Sequence, residues 1–162
     1  MLRRVKPSFF RLFLEKRKSG VKVSIVDEKT LQMNLPSRVE AVAEAAEKAA
    51  QMVTQAGLGD DAAFGIDMAV REAVTNAVLH GNREDITKQV EVKFYYSPAF
   101  FEITVRDQGV GFDLTDVPDP TEADNLLKTS GRGILFMRTF MDEVEWTRHP
   151  AGGTVVRLVK RR

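Results

Sequence analysis

Three polar side chains recur at intervals of four residues near the middle of the chain: Glu72, Asn76 and His80. In a helix, this spacing places all three on one face, which also contains Ala69 and Ala73. The polar side chains then project from a floor of small residues, and a groove of that kind has room for a ligand. A solvent-exposed polar stripe is disfavoured, because the more clearly solvent-facing positions, Asp67, Arg71 and Thr75, fall on another side of the helix. For His80 a second interpretation stays open, since a histidine near a helix end also caps the last carbonyl groups.

A carboxylate stands at the end of an apolar strand face in the sequence VRDQGVGF. Asp107 is in phase with the apolar positions of Phe101–Val105, so it is expected to point toward the core. A buried carboxylate is costly unless a hydrogen-bond donor meets it, and the amino group of an adenine base is such a donor. Gly109 and Gly111 allow the backbone to approach a ligand closely, although Asp-x-Gly-x-Gly is also typical of a tight turn.

The sequence SGRGIL is the third pattern with a chemical interpretation. Gly131 and Gly133 precede a predicted helix, Ile134–Met141, and free backbone amides at the start of a helix favour a bound phosphate. The stretch before them, Asp113–Thr129, is polar, contains two prolines and is predicted to be a long loop. Loops of this length within compact domains are usually functional, and such loops often close over phosphates.

The order of predicted strands and helices favours an α+β two-layer sandwich, with helices on one face of a mixed β-sheet, over a doubly wound parallel sheet. Alternating apolar residues and turn residues define the strands. The predicted strands are Val21–Val26, Thr30–Leu35, Val90–Tyr96, Phe100–Asp107, Glu143–Thr147 and Thr154–Val159.

Two longer helices are predicted between the second and third of these strands. Ser37 and Glu40 have the spacing of a capping box, in which each side chain satisfies the other residue's free amide. The alanine-rich helix that they open is expected to stop at Gly57. Asp60 or Asp61 is expected to cap the next helix, which carries the three polar side chains described first.

The chain has 162 residues, which is the length of one ordinary domain with its own core. It contains no cysteine, which excludes disulfides and a cysteine nucleophile, and its two histidines are too few for a multi-histidine zinc site. Residues 1–20 hold seven basic residues and one acid and are predicted to be a solvated basic extension, followed by one domain at 21–162. The rest of the chain is not basic enough for direct nucleic-acid contact. No segment is apolar enough for a membrane span, so a cytoplasmic protein is expected.

Taken together and in this order, the three patterns resemble the N, G1 and G2 boxes of the GHKL (Bergerat-fold) ATPase and kinase superfamily, over about residues 30–160. Within that superfamily, the chain looks most like the bacterial anti-sigma-factor serine/threonine kinases. This closer resemblance is carried by EAVTNA at residues 72–77, by HG at residues 80–81, and by residues 133–144.

The resemblance implies an ATP site with Mg²⁺. Asn76 would coordinate the Mg²⁺, Glu72 would act as general base, and Asp107 would recognise the adenine amino group. The long loop would be the ATP lid, and either Lys128 or Arg132 would bring a positive charge to the terminal phosphate. The other residues assigned to nucleotide binding are His80, Gly109, Gly111, Phe112, Ser130, Gly131, Gly133, Ile134 and Thr154.

The function that the resemblance implies is that of an anti-sigma factor and protein kinase. Such a protein would bind a sigma factor, phosphorylate a STAS-type anti-anti-sigma protein on Ser or Thr, and form a homodimer. Two alternatives stay open from the sequence. One is a nucleotide-gated binding regulator without catalysis, and the other is a stand-alone ATPase or a histidine-kinase-type catalytic domain.

Overall fold

The structure, a computed structural model, describes residues 28–111 and 129–162, with side chains from residue 132 onward in the second range. The predicted strand Val21–Val26, the basic extension 1–20 and the loop Asp113–Thr129, apart from its last residue, lie outside the described residues. The elements are β1 (Lys29–Pro36), α1 (Glu40–Ala56), α2 (Asp60–Asn76), a π-helical turn (Ala77–Gly81), β2 (Gln89–Tyr96), β3 (Phe100–Arg106), α3 (Thr129–Phe140), β4 (Glu143–Arg148) and β5 (Thr154–Arg161).

The described strands form one five-stranded sheet in the order β1-β2-β3-β5-β4. Every pairing between them is antiparallel. The two-layer α+β fold is confirmed, and the mixed sheet of the prediction is corrected to an antiparallel one in the described residues. The strands β2–β3 and β4–β5 are hairpins, and a short turn can join only antiparallel neighbours. The pairs β1–β2 and β3–β5, which are separated by other elements, are antiparallel as well.

The core lies between one face of the sheet and the helices. Along β2 the burial alternates, with Val90, Val92 and Phe94 fully buried and the residues between them turned to the other face. The helices contribute small side chains, which let α1 and α2 approach the sheet closely. Their buried residues are Ala41, Ala45, Ala46, Ala49, Met52, Val53 and Ala56 from α1, and Gly65, Ile66, Ala69, Val70, Ala73 and Val74 from α2.

The ends of α1 differ in how well they follow the sequence. Gly57 terminates the helix in a left-handed conformation (φ 68°), as expected for a glycine after the last turn. At the other end the capping-box prediction is wrong. The helix begins at Glu40 without a side-chain cap, and the buried Ser37 hydroxyl has no hydrogen-bond partner in the described residues. The Ser37 amide instead donates to the Lys88 carbonyl, which fixes this residue against the entry to β2 rather than at the helix end.

The helix α2 begins one residue after Gly59, which occupies the N-cap position without a side-chain cap, so the predicted cap at Asp60 or Asp61 is wrong. Both aspartates lie in the first helical turn instead, where their charge is favourable to the helix dipole. At its other end α2 passes directly into the π-helical turn. None of the helices in the described ranges combines the length and the apolar composition that a membrane crossing requires.

The helix α3 packs on α2 and begins earlier than predicted, at Thr129 rather than Ile134. The contact between the helices is close at Gly65, because a Cβ there would lie 3.0 Å from the Phe140 Cβ. The glycine pair Gly131 and Gly133 therefore lies within the first turns of α3, not before the helix. The first four backbone amides of a helix have no intrahelical partner.

Candidate functional site

The side chains of Glu72, Asn76 and His80 come together at the end of α2, as their spacing predicts. Asn76 and His80 both lie close enough to the Glu72 carboxyl to influence its pKa. Glu72 and Asn76 are half-buried and His80 is exposed. Since His80 belongs to the π-helical turn, its direction is set by that turn and not by α2 alone. The three residues form a polar row that runs from half-buried to solvent.

Burial raises the pKa of the Glu72 carboxyl above its ordinary value. The hydrogen bond from Asn76 and the charge interaction with His80 oppose this shift but do not cancel it. A carboxylate with a raised pKa is a stronger base than one in water, which suits it to accept a proton at neutral pH.

The first turns of α3 lie directly against Glu72. A Cβ built on Gly133 would lie 1.6 Å from Oε1 and 2.0 Å from Cδ of Glu72, so no side chain fits at this position without moving the carboxylate. The glycine thus brings the first turns of α3 beside the Glu72–Asn76 pair. An anionic group bound at this helix start would lie next to both side chains.

Asp107 follows β3 directly and is 4% exposed, in agreement with its predicted inward direction. Its Oδ1 accepts hydrogen bonds from the backbone amides of Gly109 (2.8 Å) and Thr154 (3.2 Å). Oδ2 accepts no hydrogen bond from the residues that the structure describes. One oxygen therefore fixes the carboxylate, and the other remains for a ligand.

Three glycines enclose the Asp107 carboxyl. A Cβ on Gly81 would lie 2.5 Å from Oδ2, and a Cβ on Gly153, whose φ is +89°, would lie 1.9 Å from the Asp107 carbonyl oxygen. A Cβ on Gly109 would meet the Gly81 carbonyl oxygen at 2.0 Å. Larger residues at these positions would force backbone apart. The end of the π-helical turn, the loop after β3 and the start of β5 can pack together only because all three residues are glycine.

A second free polar group lies next to Asp107. The hydroxyl of Thr154 is buried, and it has no hydrogen-bond partner within residues 28–111 and 129–162. Together with Asp107 Oδ2 it offers an acceptor and a hydroxyl at one side of the site. An acceptor and a hydroxyl are the kinds of group with which the edge of an adenine base pairs, since that edge presents an amino donor beside a ring-nitrogen acceptor.

The structure describes some of the remaining predicted site residues fully, some by their backbone only, and two not at all. Gly111 adopts a positive φ of +77°, Arg132 is exposed and already engaged in an interaction, and Ile134 is half-buried in α3. Ser130 and Gly131 lie in the first turn of α3, where only the backbone is described. Phe112 and Lys128 lie outside the described residues. Whether Lys128 or Arg132 would bring a positive charge to the terminal phosphate therefore stays open.

Two residues that the sequence did not single out also build the site. Arg148 of β4 donates from Nη2 to the Val110 carbonyl at 2.8 Å, which fixes the loop between Gly109 and Gly111. Asn82 is fully buried and bonds both to the start of β2 and to the loop after β3. The only sequence signal for Asn82 was its place after the His80–Gly81 pair, where an asparagine is also an ordinary helix terminator.

Comparisons with known proteins agree with this fold. A solved structure titled "The crystal structure of the RsbU and RsbW domains of Rv1364c from Mycobacterium tuberculosis" superposes with a TM-score of 0.61 at 20% identity, covering 82% of this chain and 32% of that one. Proteins named "Anti-sigma F factor" from Bacillus thuringiensis (strain Al Hakam) and Bacillus mycoides (strain KBAB4) are each 36% identical over 99 residues. Each match covers 59% of this chain and 66% of the relative, just under two thirds of its length.

The sheet, the polar row on α2, the buried Asp107 and α3 are the parts of one α+β domain. The model of the family described as "Histidine kinase-like ATPase domain" matches residues 35–160, and the chain belongs to this family. The resemblance to the GHKL superfamily is therefore confirmed. Membership implies that the chain binds ATP.

Proposed function

We propose that the chain is an ATP-dependent serine/threonine protein kinase that acts as an anti-sigma factor in a partner-switching system. The observation that supports this most directly is the position of Glu72, a carboxylate with a raised pKa that lies beside Asn76 and against the start of α3. A site that only binds a nucleotide has no need of a base there. The relatives named "Anti-sigma F factor" support the regulatory part of the proposal.

The nucleotide would bind with its base at Asp107 and its phosphates at the start of α3. Asp107 Oδ2 would accept from the adenine amino group, and the Thr154 hydroxyl would bond to the base directly or through a water. Gly109 and Gly111 would line the side of the base and ribose, together with Phe112. Backbone amides of the α3 start, near Ser130, Gly131 and Gly133, would contact the phosphates, with Ile134 behind them and His80, Lys128 and Arg132 supplying charge or hydrogen bonds.

The donor set at Asn76 fits Mg²⁺. Within the described residues there is no group of three or more His, Cys, Asp or Glu side chains that would hold a metal by themselves. Mg²⁺ suits such a site, because it commonly takes few protein oxygens and completes its shell with phosphate and water. The Asn76 side-chain oxygen would be the protein ligand, since an amide nitrogen donates hydrogen bonds and has no lone pair available for a metal. When bound, the ion would neutralise charge on the phosphates.

Glu72 would take the proton from the hydroxyl of a serine or threonine on the partner protein as that oxygen attacks the terminal phosphate. The carboxylate lies beside Asn76, the residue that would bind the metal, and the close approach of Gly133 limits its movement. The bond between the terminal phosphate and its bridging oxygen breaks, and ADP leaves. The acceptor would belong to a STAS-type anti-anti-sigma protein, the second partner would be a sigma factor, and the active form would be a homodimer.

The test is transfer of labelled phosphate from ATP, with Mg²⁺, to purified candidate anti-anti-sigma proteins. We expect a phosphoprotein whose label is on serine or threonine, and no label with the Glu72→Ala variant. Label on a histidine would favour a histidine-kinase-type domain, and release of inorganic phosphate alone would favour an ATPase. Tight ATP binding without transfer to any partner would favour a nucleotide-gated regulator, and each of these three results would overturn the proposal.

A further inference from the structure

Asn82 joins three separate parts of the site through its side chain. It is 0% exposed, and both of its polar side-chain atoms are used. Nδ2 donates to the Gln89 carbonyl at 3.0 Å, at the start of β2, and Oδ1 accepts from the Gln108 amide at 2.7 Å, in the loop after β3. A second, exposed hydrogen bond links the same two segments, since Gln108 Oε1 accepts from the Gln89 amide at 2.9 Å.

The backbone around Asn82 is unusual in two ways. Its amide donates to the Ala77 carbonyl at 2.8 Å, a bond across five residues that forms the π-helical turn. The next two residues, Arg83 and Glu84, have φ values of +57° and +55°, in the left-handed region that residues with side chains seldom adopt. Turns of this kind persist only where surrounding contacts fix them, and they cluster at functional sites. The two buried hydrogen bonds of Asn82 are such contacts.

The two sides of this junction carry the two ends of the nucleotide site. On the helix side, Asn76 and Glu72 lie within the ten residues before Asn82. On the strand side, Asp107 is the residue directly before Gln108, whose amide Asn82 holds. Gly81, the residue before Asn82, also packs directly against the Asp107 carboxyl, since a Cβ on Gly81 would lie 2.5 Å from Oδ2. The distance between the adenine end and the phosphate end is therefore set at Asn82.

We propose that Asn82 is a positioning residue that holds Asp107 at a fixed distance from the Glu72–Asn76 pair, so that one nucleotide engages both ends at once. The inference rests on the proposed ATP site and adds a residue that touches neither nucleotide nor metal. A ligand that binds two rigidly connected ends gains affinity from their preorganisation. Loosening the connection removes that gain and misplaces the reacting groups, although each end still binds its own part of the ligand.

The experiment compares ATP, which engages both ends, with adenosine, which engages only the Asp107 end. Calorimetry with Mg²⁺ gives both affinities for the wild type, Asn82→Ala and Asn82→Asp, and phosphoryl transfer is measured on the same preparations. In Asn82→Ala, we expect ATP affinity to fall about 10- to 100-fold, with a comparable loss in turnover, while adenosine affinity changes much less. The inference is tested by the ratio of ATP affinity to adenosine affinity in each protein.

Asn82→Asp provides a second comparison, because it keeps an acceptor for the Gln108 amide and places an acceptor in place of the donor to Gln89. Its affinity ratio should also be lower than that of the wild type. If Asn82→Ala does not fold, a reduced ratio in Asn82→Asp relative to the wild type still supports the inference, and an unchanged ratio overturns it.

Ser97→Ala is the matched control for lost stability. Ser97 is also buried, and its hydroxyl accepts from two backbone amides, Ala99 and Phe100, at the opposite end of the β2–β3 hairpin. It should lower the melting temperature without changing the affinity ratio. If Asn82→Ala behaves like Ser97→Ala, Asn82 is only structural and the inference fails while the ATP site stands. If the wild type binds neither ATP nor adenosine, the proposed function fails and the inference falls with it.

Discussion

Replacing Asp107 with asparagine separates the ligand-binding oxygen of this side chain from the structural one. Oδ1 accepts two backbone hydrogen bonds, from Gly109 and Thr154, and an asparagine carbonyl in the same place can accept both. Those two amides also fix the orientation of the new side chain, because its NH₂ group cannot face them. The NH₂ group must therefore take the place of Oδ2. Asp107→Asn leaves the local fold intact and presents a donor where the adenine amino group needs an acceptor.

The expected loss follows from the type of hydrogen bond that is removed. A hydrogen bond to a charged group contributes about 1.5–3 kcal/mol. The dissociation constant for ATP should then rise about 10- to 150-fold. The opposite effect is expected for guanine, which presents a carbonyl oxygen at the corresponding position. In Asp107→Asn, the ratio of ATP affinity to GTP affinity should therefore fall by a larger factor than the ATP affinity does.

The assay is calorimetry of ATP and GTP binding, with and without Mg²⁺, for the wild type and Asp107→Asn. Thermal unfolding of both proteins checks that the fold is unchanged. The assignment of Asp107 is refuted if the variant binds ATP as tightly as the wild type, or if the wild type binds GTP equally well. If the wild type binds no ATP at all, only the fold of the family remains.

Two further predictions concern Glu72. In Gly133→Ala, the new methyl group occupies the place of the Glu72 carboxylate, which can rotate away, so phosphoryl transfer should fall at least about 100-fold. The melting temperature should change little, because alanine is better than glycine within a helix by about 0.5–1 kcal/mol; retained turnover would contradict the contact. Since burial raises the folded-state pKa of Glu72, the carboxyl stabilises the fold at low pH, and this stabilisation is lost as pH rises through the raised pKa. Glu72→Gln should therefore be inactive but more stable than the wild type at pH 7–8, and the difference in melting temperature should close below about pH 4.3, the ordinary value for glutamate. An equal difference at all pH values would show that burial of the charge is not its cause.

Much of the site followed from local sequence because its residues are close along the chain. The spacing of Glu72, Asn76 and His80 fixes a common helix face for any helix of ordinary pitch. The phase of Asp107 with the apolar residues of β3 fixed its burial in the same way. Gly57 marked the end of α1, because few other residues adopt its left-handed conformation without strain.

Two of the predictions that failed depended on neighbours that are distant in sequence. Ser37 has the spacing of a helix cap, yet its amide is held by the Lys88 carbonyl, fifty-one residues later. The glycine pair was expected before a helix, but α3 starts at Thr129 and brings Gly133 against Glu72, sixty-one residues earlier in the chain. Local propensity contains no term for such contacts, so it cannot place these boundaries.

The sequence by itself determined which side chains could do the chemistry, since residue type and helical or strand periodicity are local properties. Only the tertiary structure decided how far apart those side chains lie and what holds them there. Asn82 gives no chemical signal in the sequence, because both of its hydrogen-bond partners, at Gln89 and Gln108, reach it through the folding of the sheet. A buried hydrogen bond between distant segments exists only once the core has formed around it, and the geometry of the site depends on that bond.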